Sequence, residues 1–231
     1  MPLSRNEVES MTGVYKVAEW IMRFSVINLL WLTFQLPIVF LVLGALFTEG
    51  RSIPLLFTLI AILSPFLLFP ATAAMFASVR DWIADREQKS IMQAFSRHYR
   101  DNYKVSMKVG FLLTPLWTII IADVVYLQAN HTVLLFAFIV FGVVLYVYTL
   151  TVMSVMVHYA IAIRAILKKA LFLTFGSPVL FLATIGTSFL IIYVSVNGLP
   201  FLLLFFTGSM ISFITFSLFY RVYQNITKSG G

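Results

Sequence analysis

Asp123 is the one acidic residue inside a predicted membrane span, in the apolar run that leads from Val109 to Leu127. An ionised carboxylate near the centre of a bilayer costs about 2.5–3.5 kcal/mol on insertion scales, so such a group must face protein or water. There it would bind a cation, relay a proton or contact a sugar hydroxyl. The other reading puts it at the outer headgroups, close to Gln128 and His131, where the wet interface removes most of that cost. The second reading is preferred, because the polar stretch Gln128-Ala129-Asn130-His131 follows directly. The three histidines do not converge: His131 falls at the outer side, His98 and His158 at the inner side. With no cysteine, thiol catalysis and Cys-ligated metals are excluded. No H-E-x-x-H, glycine-rich phosphate loop or G-x-S-x-G occurs. The expectation is a protein without catalytic residues, metal or cofactor.

The elements that would position these side chains are membrane helices. The chain has 231 residues, 61% of them hydrophobic and 11% charged, with a mean hydropathy of +0.96, too apolar for a surface wetted by water. Charged residues are missing from 24–48, 52–79, 124–163 and 170–220. About 20 helical residues cross a bilayer, so the longer runs must turn back. Asn197-Gly198-Leu199-Pro200 divides the last run, and the Gln128–His131 stretch the one before it. The expected architecture is a single all-α polytopic bundle with spans at about 24–48, 53–78, 108–128, 132–158, 174–196 and 199–220. The first run is too long for a signal-peptide core and is expected to stay as an anchor.

Charge distribution sets the expected topology, because cytoplasmic loops collect Lys and Arg. Six crossings with both termini inside put 15 of the 16 Lys and Arg residues inside and only Arg51 outside. If 109–127 did not cross, Arg164, Lys168, Lys169, Arg221 and Lys228 would move out, giving 10 against 6. The segment 83–106 reads as an amphipathic cytoplasmic helix between spans 2 and 3. Ile91, Phe95, Tyr99 and Tyr103 share one line with Met92 beside them, while Arg97, Arg100, Lys104 and Lys108 fall on the other side. It would meet anionic lipid or a protein partner, or pack on its own bundle with its charges only marking the inner side; the last is preferred. Trp20 fits an interfacial anchor. Nucleic acid is not expected as a partner, since no base-reading element is apparent. Pro37, Pro65, Pro70, Pro115, Pro178 and Pro200 mark kinks or helix ends. Ala73, Ala77, Gly208 and Ser212 suit close helix approach.

Asn28-Leu29-Leu30-Trp31 and Leu36-Pro37, then Phe69-Pro70-Ala71-Thr72-Ala73-Ala74-Met75-Phe76 leading to Arg80 and Trp82, and then Phe95, Tyr99, Asn102-Tyr103-Lys104 and Ser106, resemble the YesL-like family of small bacterial membrane proteins. The resemblance implies a six-helix protein of the bacterial cytoplasmic membrane whose relatives tend to be encoded beside carbohydrate-uptake and polysaccharide-utilisation systems. It supplies no catalytic or ligand residues, and a structural role accounts for the motif positions, with Trp82 as an interfacial anchor. The functional expectation is an accessory, partner-binding component of a carbohydrate system that engages anionic lipid or a membrane protein such as a sugar permease, with homo-oligomers left open. The alternative is a transporter or channel acting by itself, with Asp123 and the proline-broken helices along its path.

Overall fold

A computed structural model describes residues 5–47, 53–86, 90–127 and 132–229, with the side chains of 5–14 and 229 excepted. The stretch Gln128–His131, Arg51, Lys89 and the side chain of Arg5 lie outside the described part. The described chain is all helical: α1 (Arg5–Phe34), α2 (Leu36–Phe47), α3 (Ile53–Leu63), α4 (Leu68–Ile83), α5 (Ile91–Leu127), α6 (Thr132–His158), α7 (Ile163–Gly176), α8 (Pro178–Asn197), α9 (Phe201–Phe205) and α10 (Thr207–Ser229). Four segments are long and apolar enough to cross a bilayer: Tyr15–Phe34 of α1, α5, α6 and α8. The pair α3 and α4 makes a fifth if counted as one span bent by 51°. By length and composition, the described residues therefore hold four to five helical segments that could span a membrane.

Proline explains most of the breaks. Pro65 and Pro70 lack the N–H that would bond the carbonyls of Ala61 and Phe66, and the chain turns between Ser64 and Leu67 instead of continuing the helix. Gly110 fits against that corner. A Cβ there would lie 2.7 Å from the Cα of Pro65 and 3.0 Å from the Phe69 ring, so no larger residue allows α4 and α5 to meet as closely. Pro178 opens α8 in the first turn, where a missing donor is harmless, and the Ser177 hydroxyl accepts from the Leu180 N–H.

Three expectations about the basic segment need correction. The helix does not begin at residue 83: α4 ends at Ile83, Asp85 adopts a positive φ of 52°, and helix resumes at Ile91. Nor is it separate from the third span, because nothing between Ile91 and Lys108 breaks the helix and α5 runs unbroken for 37 residues. Its packing face is also rotated from the expected line. The buried positions are Ala94, Phe95, His98, Ser106, Val109, Gly110 and Leu113, whereas Tyr99 and Tyr103 are half-buried. Hydropathy misjudges this face because its polar members are satisfied locally: Asn102 Nδ2 donates to the His98 carbonyl at 2.9 Å, and Ser106 Oγ to the Asn102 carbonyl at 2.7 Å.

The core lies where α4 is enclosed by α1, α5, α6 and α10. Ala71, Ala73, Ala74, Phe76, Ala77, Ser78 and Val79 are fully buried, so small side chains let α4 pass through the centre. The α2–α3 pair is peripheral. Its two helices lie against each other, with Ile38 the single buried residue of α2 and none buried in α3.

Candidate functional site

At the end of α4, Val79 closes the apolar run and Arg80, Asp81 and Trp82 follow. Asp81 is 4% exposed. A carboxylate this buried needs partners, and it has them: the Arg80 Nη2 donates to Oδ1 at 2.7 Å and its Nε to the same oxygen at 3.0 Å. His98 Nε2, from α5, donates to Oδ2 at 2.9 Å. Arg86 adds its charge at 3.5 Å from Oδ1. Arg80 also donates through Nη1 to the Val157 carbonyl at the end of α6, so one cluster ties α4, α5 and α6 together.

Aromatic side chains pack around this end. Trp82 meets Trp20 and Phe24 edge-on at 5.9 and 5.8 Å, and Phe213 of α10 meets Trp20 and Phe24 at 5.4 Å each. Trp82 is thus a core residue, 8% exposed, and not the interfacial anchor expected from its position. Trp20 keeps the more exposed place, with the Arg23 guanidinium 5.7 Å from its ring. His158 lies among Tyr159, Phe219 and Tyr223 at 4.7, 5.5 and 4.6 Å, and Lys169 Nζ sits 3.8 Å over the Tyr159 ring.

Deeper in the bundle, Asn28 of α1 bridges the gap between α9 and α10. Its Nδ2 donates to the carbonyls of Leu204 at 2.7 Å and Leu203 at 3.2 Å, and its Oδ1 accepts from the Ser209 N–H at 3.0 Å. Thr207 adds a bond to the Leu202 carbonyl at 3.0 Å and meets the Ser195 hydroxyl at 2.8 Å. One helix end thereby has its orphan carbonyls, and the next its orphan N–H, satisfied by a neighbouring span.

Beside this bridge lies a cavity of about 410 Å³, walled by α1, α3, α4, α5, α6 and α10. Trp31 and Trp117 border it, each with its indole N–H spent on a threonine: Trp31 on Thr72 at 3.1 Å and Trp117 on Thr149 at 3.2 Å. No Asp, Glu, Lys, Arg or His lines the wall.

A family profile described as "Protein of unknown function, DUF624" matches residues 24–124. Two relatives from Bacillus subtilis (strain 168) align over nearly the whole chain. "Uncharacterized protein YteU" is 28% identical over 229 residues, covering 96% of this chain and 90% of its own. "Uncharacterized protein YesL" is 25% identical over 217 residues, covering 94% and 92%. The chain is similar to both over nearly its whole length. No solved structure matches. The segment matched by the profile contains Asn28, Trp31, Thr72, Arg80, Asp81 and His98, that is, the side chains that reach across the bundle. Val157, Leu203, Leu204 and Ser209, the backbone groups they grip, lie in the half beyond it.

The residues singled out in the sequence are dispersed. Asn28, Trp31, Thr72 and Arg80 bridge helices as described, Phe95 is fully buried against Phe34 at 5.3 Å, and Pro70 is buried in the first turn of α4. Pro37 is exposed at the start of α2. Arg97, Arg100, Lys104 and Lys108 stand exposed along one side of α5. Asp123 is half-exposed near the far end of α5, does not line the cavity, and makes no ion pair among the described residues. Asp81 and His98 were missed as a pair. The available signal was a single carboxylate beside Arg80 at the end of an apolar run, and a histidine spaced i, i+4 from Asn102 on the face away from the cations.

Proposed function

We propose that this chain is a non-enzymatic accessory component of a bacterial carbohydrate uptake or utilisation system. On this reading its basic end faces the cytoplasm and holds an acidic surface of a membrane partner such as a sugar permease. One observation carries it: Arg97, Arg100, Lys104 and Lys108 are exposed on α5, none is ion-paired among the described residues, and the opposite face of the same helix is fixed by Phe95 and the His98–Asp81 bond. A cationic row on an immobilised helix loses little entropy on docking. Asp101, one turn beyond Arg97 and next in sequence to Arg100, in a shallow depression also bounded by Met92, Gln93 and Ser96, patterns the surface with both signs, which suits a protein better than a uniformly anionic headgroup layer. The carbohydrate context comes from the family resemblance.

Affinity purification from native membranes tests the docking. A permease subunit is expected at fixed stoichiometry with the unaltered chain and is expected to be lost from R97E/R100E, with the variant still monodisperse in detergent. Loss of anionic phospholipid alone, with no protein partner for either form, would reject the reading.

The topology within this proposal is six crossings, with α1–α2, α3–α4, α7–α8 and α9–α10 each serving as one broken span. The side-chain contacts support it. They gather Trp20, Arg80, His98, His158, Lys169 and Tyr223 from α1, α4, α5, α6, α7 and α10 at one end, as an even number of crossings requires. A reporter fused after Asn130 is expected to read as external and one after Lys169 as internal; the same side for both would remove a crossing.

A further inference from the structure

The cavity beside Trp31 and Trp117 has no part in the docking proposal, and its chemistry identifies its occupant. At about 410 Å³ it falls in the size range of ligand pockets. Five of its seven hydroxyls are committed to protein partners. Thr72 and Thr149 accept the two indole N–H groups, Thr149 also donates to the Leu145 carbonyl at 2.7 Å, and Thr118 donates to that of Thr114 at 2.9 Å. Ser64 and Ser212 donate to the carbonyls of Ile60 and Ser209. Thr114 Oγ1 and Tyr146 Oη are buried without a hydrogen bond among the described residues. A sugar needs more polar partners than these two hydroxyls supply, so this wall cannot replace its hydration. A hydrocarbon surrenders nothing on entering it.

Access is from the side. α3, which supplies Phe57, Ile60 and Ala61 to the wall, buries no residue of its own and is joined to α4 through the 51° bend at Pro65. Its companion α2 is set off from α1 by the break at Gln35. α3 therefore forms one side of the cavity, and the α2–α3 pair touches the bundle lightly between the breaks at Gln35 and Pro65. What lies beyond it in a bilayer is lipid. We infer that the cavity binds one hydrocarbon chain of a membrane lipid, admitted laterally past α3.

Tryptophan quenching reads this directly, since two of the four tryptophans border the cavity. The full chain is reconstituted in vesicles of phosphatidylcholine with dibrominated acyl chains. This zwitterionic lipid leaves the basic row on α5 without a role, so failure here and failure of the docking proposal are separate results. A61F fills the cavity from α3 without removing a hydrogen bond, and I60F does so from the neighbouring position. Quenching is expected to be strong in the unaltered protein and to fall by up to about half in either variant that remains monodisperse. Native mass spectrometry after detergent exchange is expected to find one phospholipid retained per unaltered chain. Equal quenching in the unaltered protein and a folded filled variant overturns the inference, and so does an unaltered chain that retains no lipid.

Discussion

D81A is expected to destabilise the folded protein by about 3 kcal/mol, the loss typical of removing one member of a buried charge cluster. Asp81 is the single acceptor shared by Arg80, His98 and Arg86. Without it Arg80 keeps, among the described residues, only the Val157 carbonyl, and His98 Nε2 loses its acceptor while the ring stays buried. The conservative D81N keeps an acceptor oxygen and volume but removes the charge, so its cost should be roughly half as large. Thermal or denaturant unfolding in one detergent ranks the three proteins, and near-equal stability of all three would show the cluster to be energetically idle.

The same cluster shows what could be read before any coordinates. Lipid solubility and the helical class follow from the charge-free runs, because the bilayer penalises each unpaired polar group strongly enough to dominate composition. The cations at one end follow from the same rule. Residues whose role depends on a partner distant in sequence were not legible. Asp81 reads as one more loop charge until His98 is seen to reach it 17 positions later. Trp82 reads as an interfacial aromatic until Trp20 and Phe24 enclose it. His98, Asn102 and Ser106 look like the wet side of a helix and form its packing face, since each has a hydrogen-bond partner that hydropathy cannot count. Asp123 is the converse case. An isolated carboxylate in an apolar run stands out in a sequence, yet it sits half-exposed near a helix end and apart from the cavity.

N28A is expected to cost about 2–4 kcal/mol, because it strands polar backbone rather than a side chain. Its amide serves two carbonyls at the end of α9 and one N–H at the start of α10, groups that a broken helix leaves open and that lipid cannot satisfy. The isosteric N28D separates hydrogen bonding from packing. As a carboxylate it still accepts from Ser209 but turns an anion toward the Leu203 and Leu204 carbonyls, so at neutral pH it should be at least as damaging as N28A. Protonated, it regains a donor, and its stability should rise toward that of the unaltered protein as pH falls. A simple packing role predicts no such recovery. Gly208 provides the geometric control: a Cβ there would lie 2.9 Å from Asn28 Oδ1. G208A should therefore be destabilising when Asn28 is present and milder in N28A, where the obstructing oxygen is gone, leaving the double variant less impaired than the sum of the two singles. Strict additivity would mean that Asn28 does not hold the α9–α10 break, and that the break persists through the fit of α10 against α4 and α8 alone.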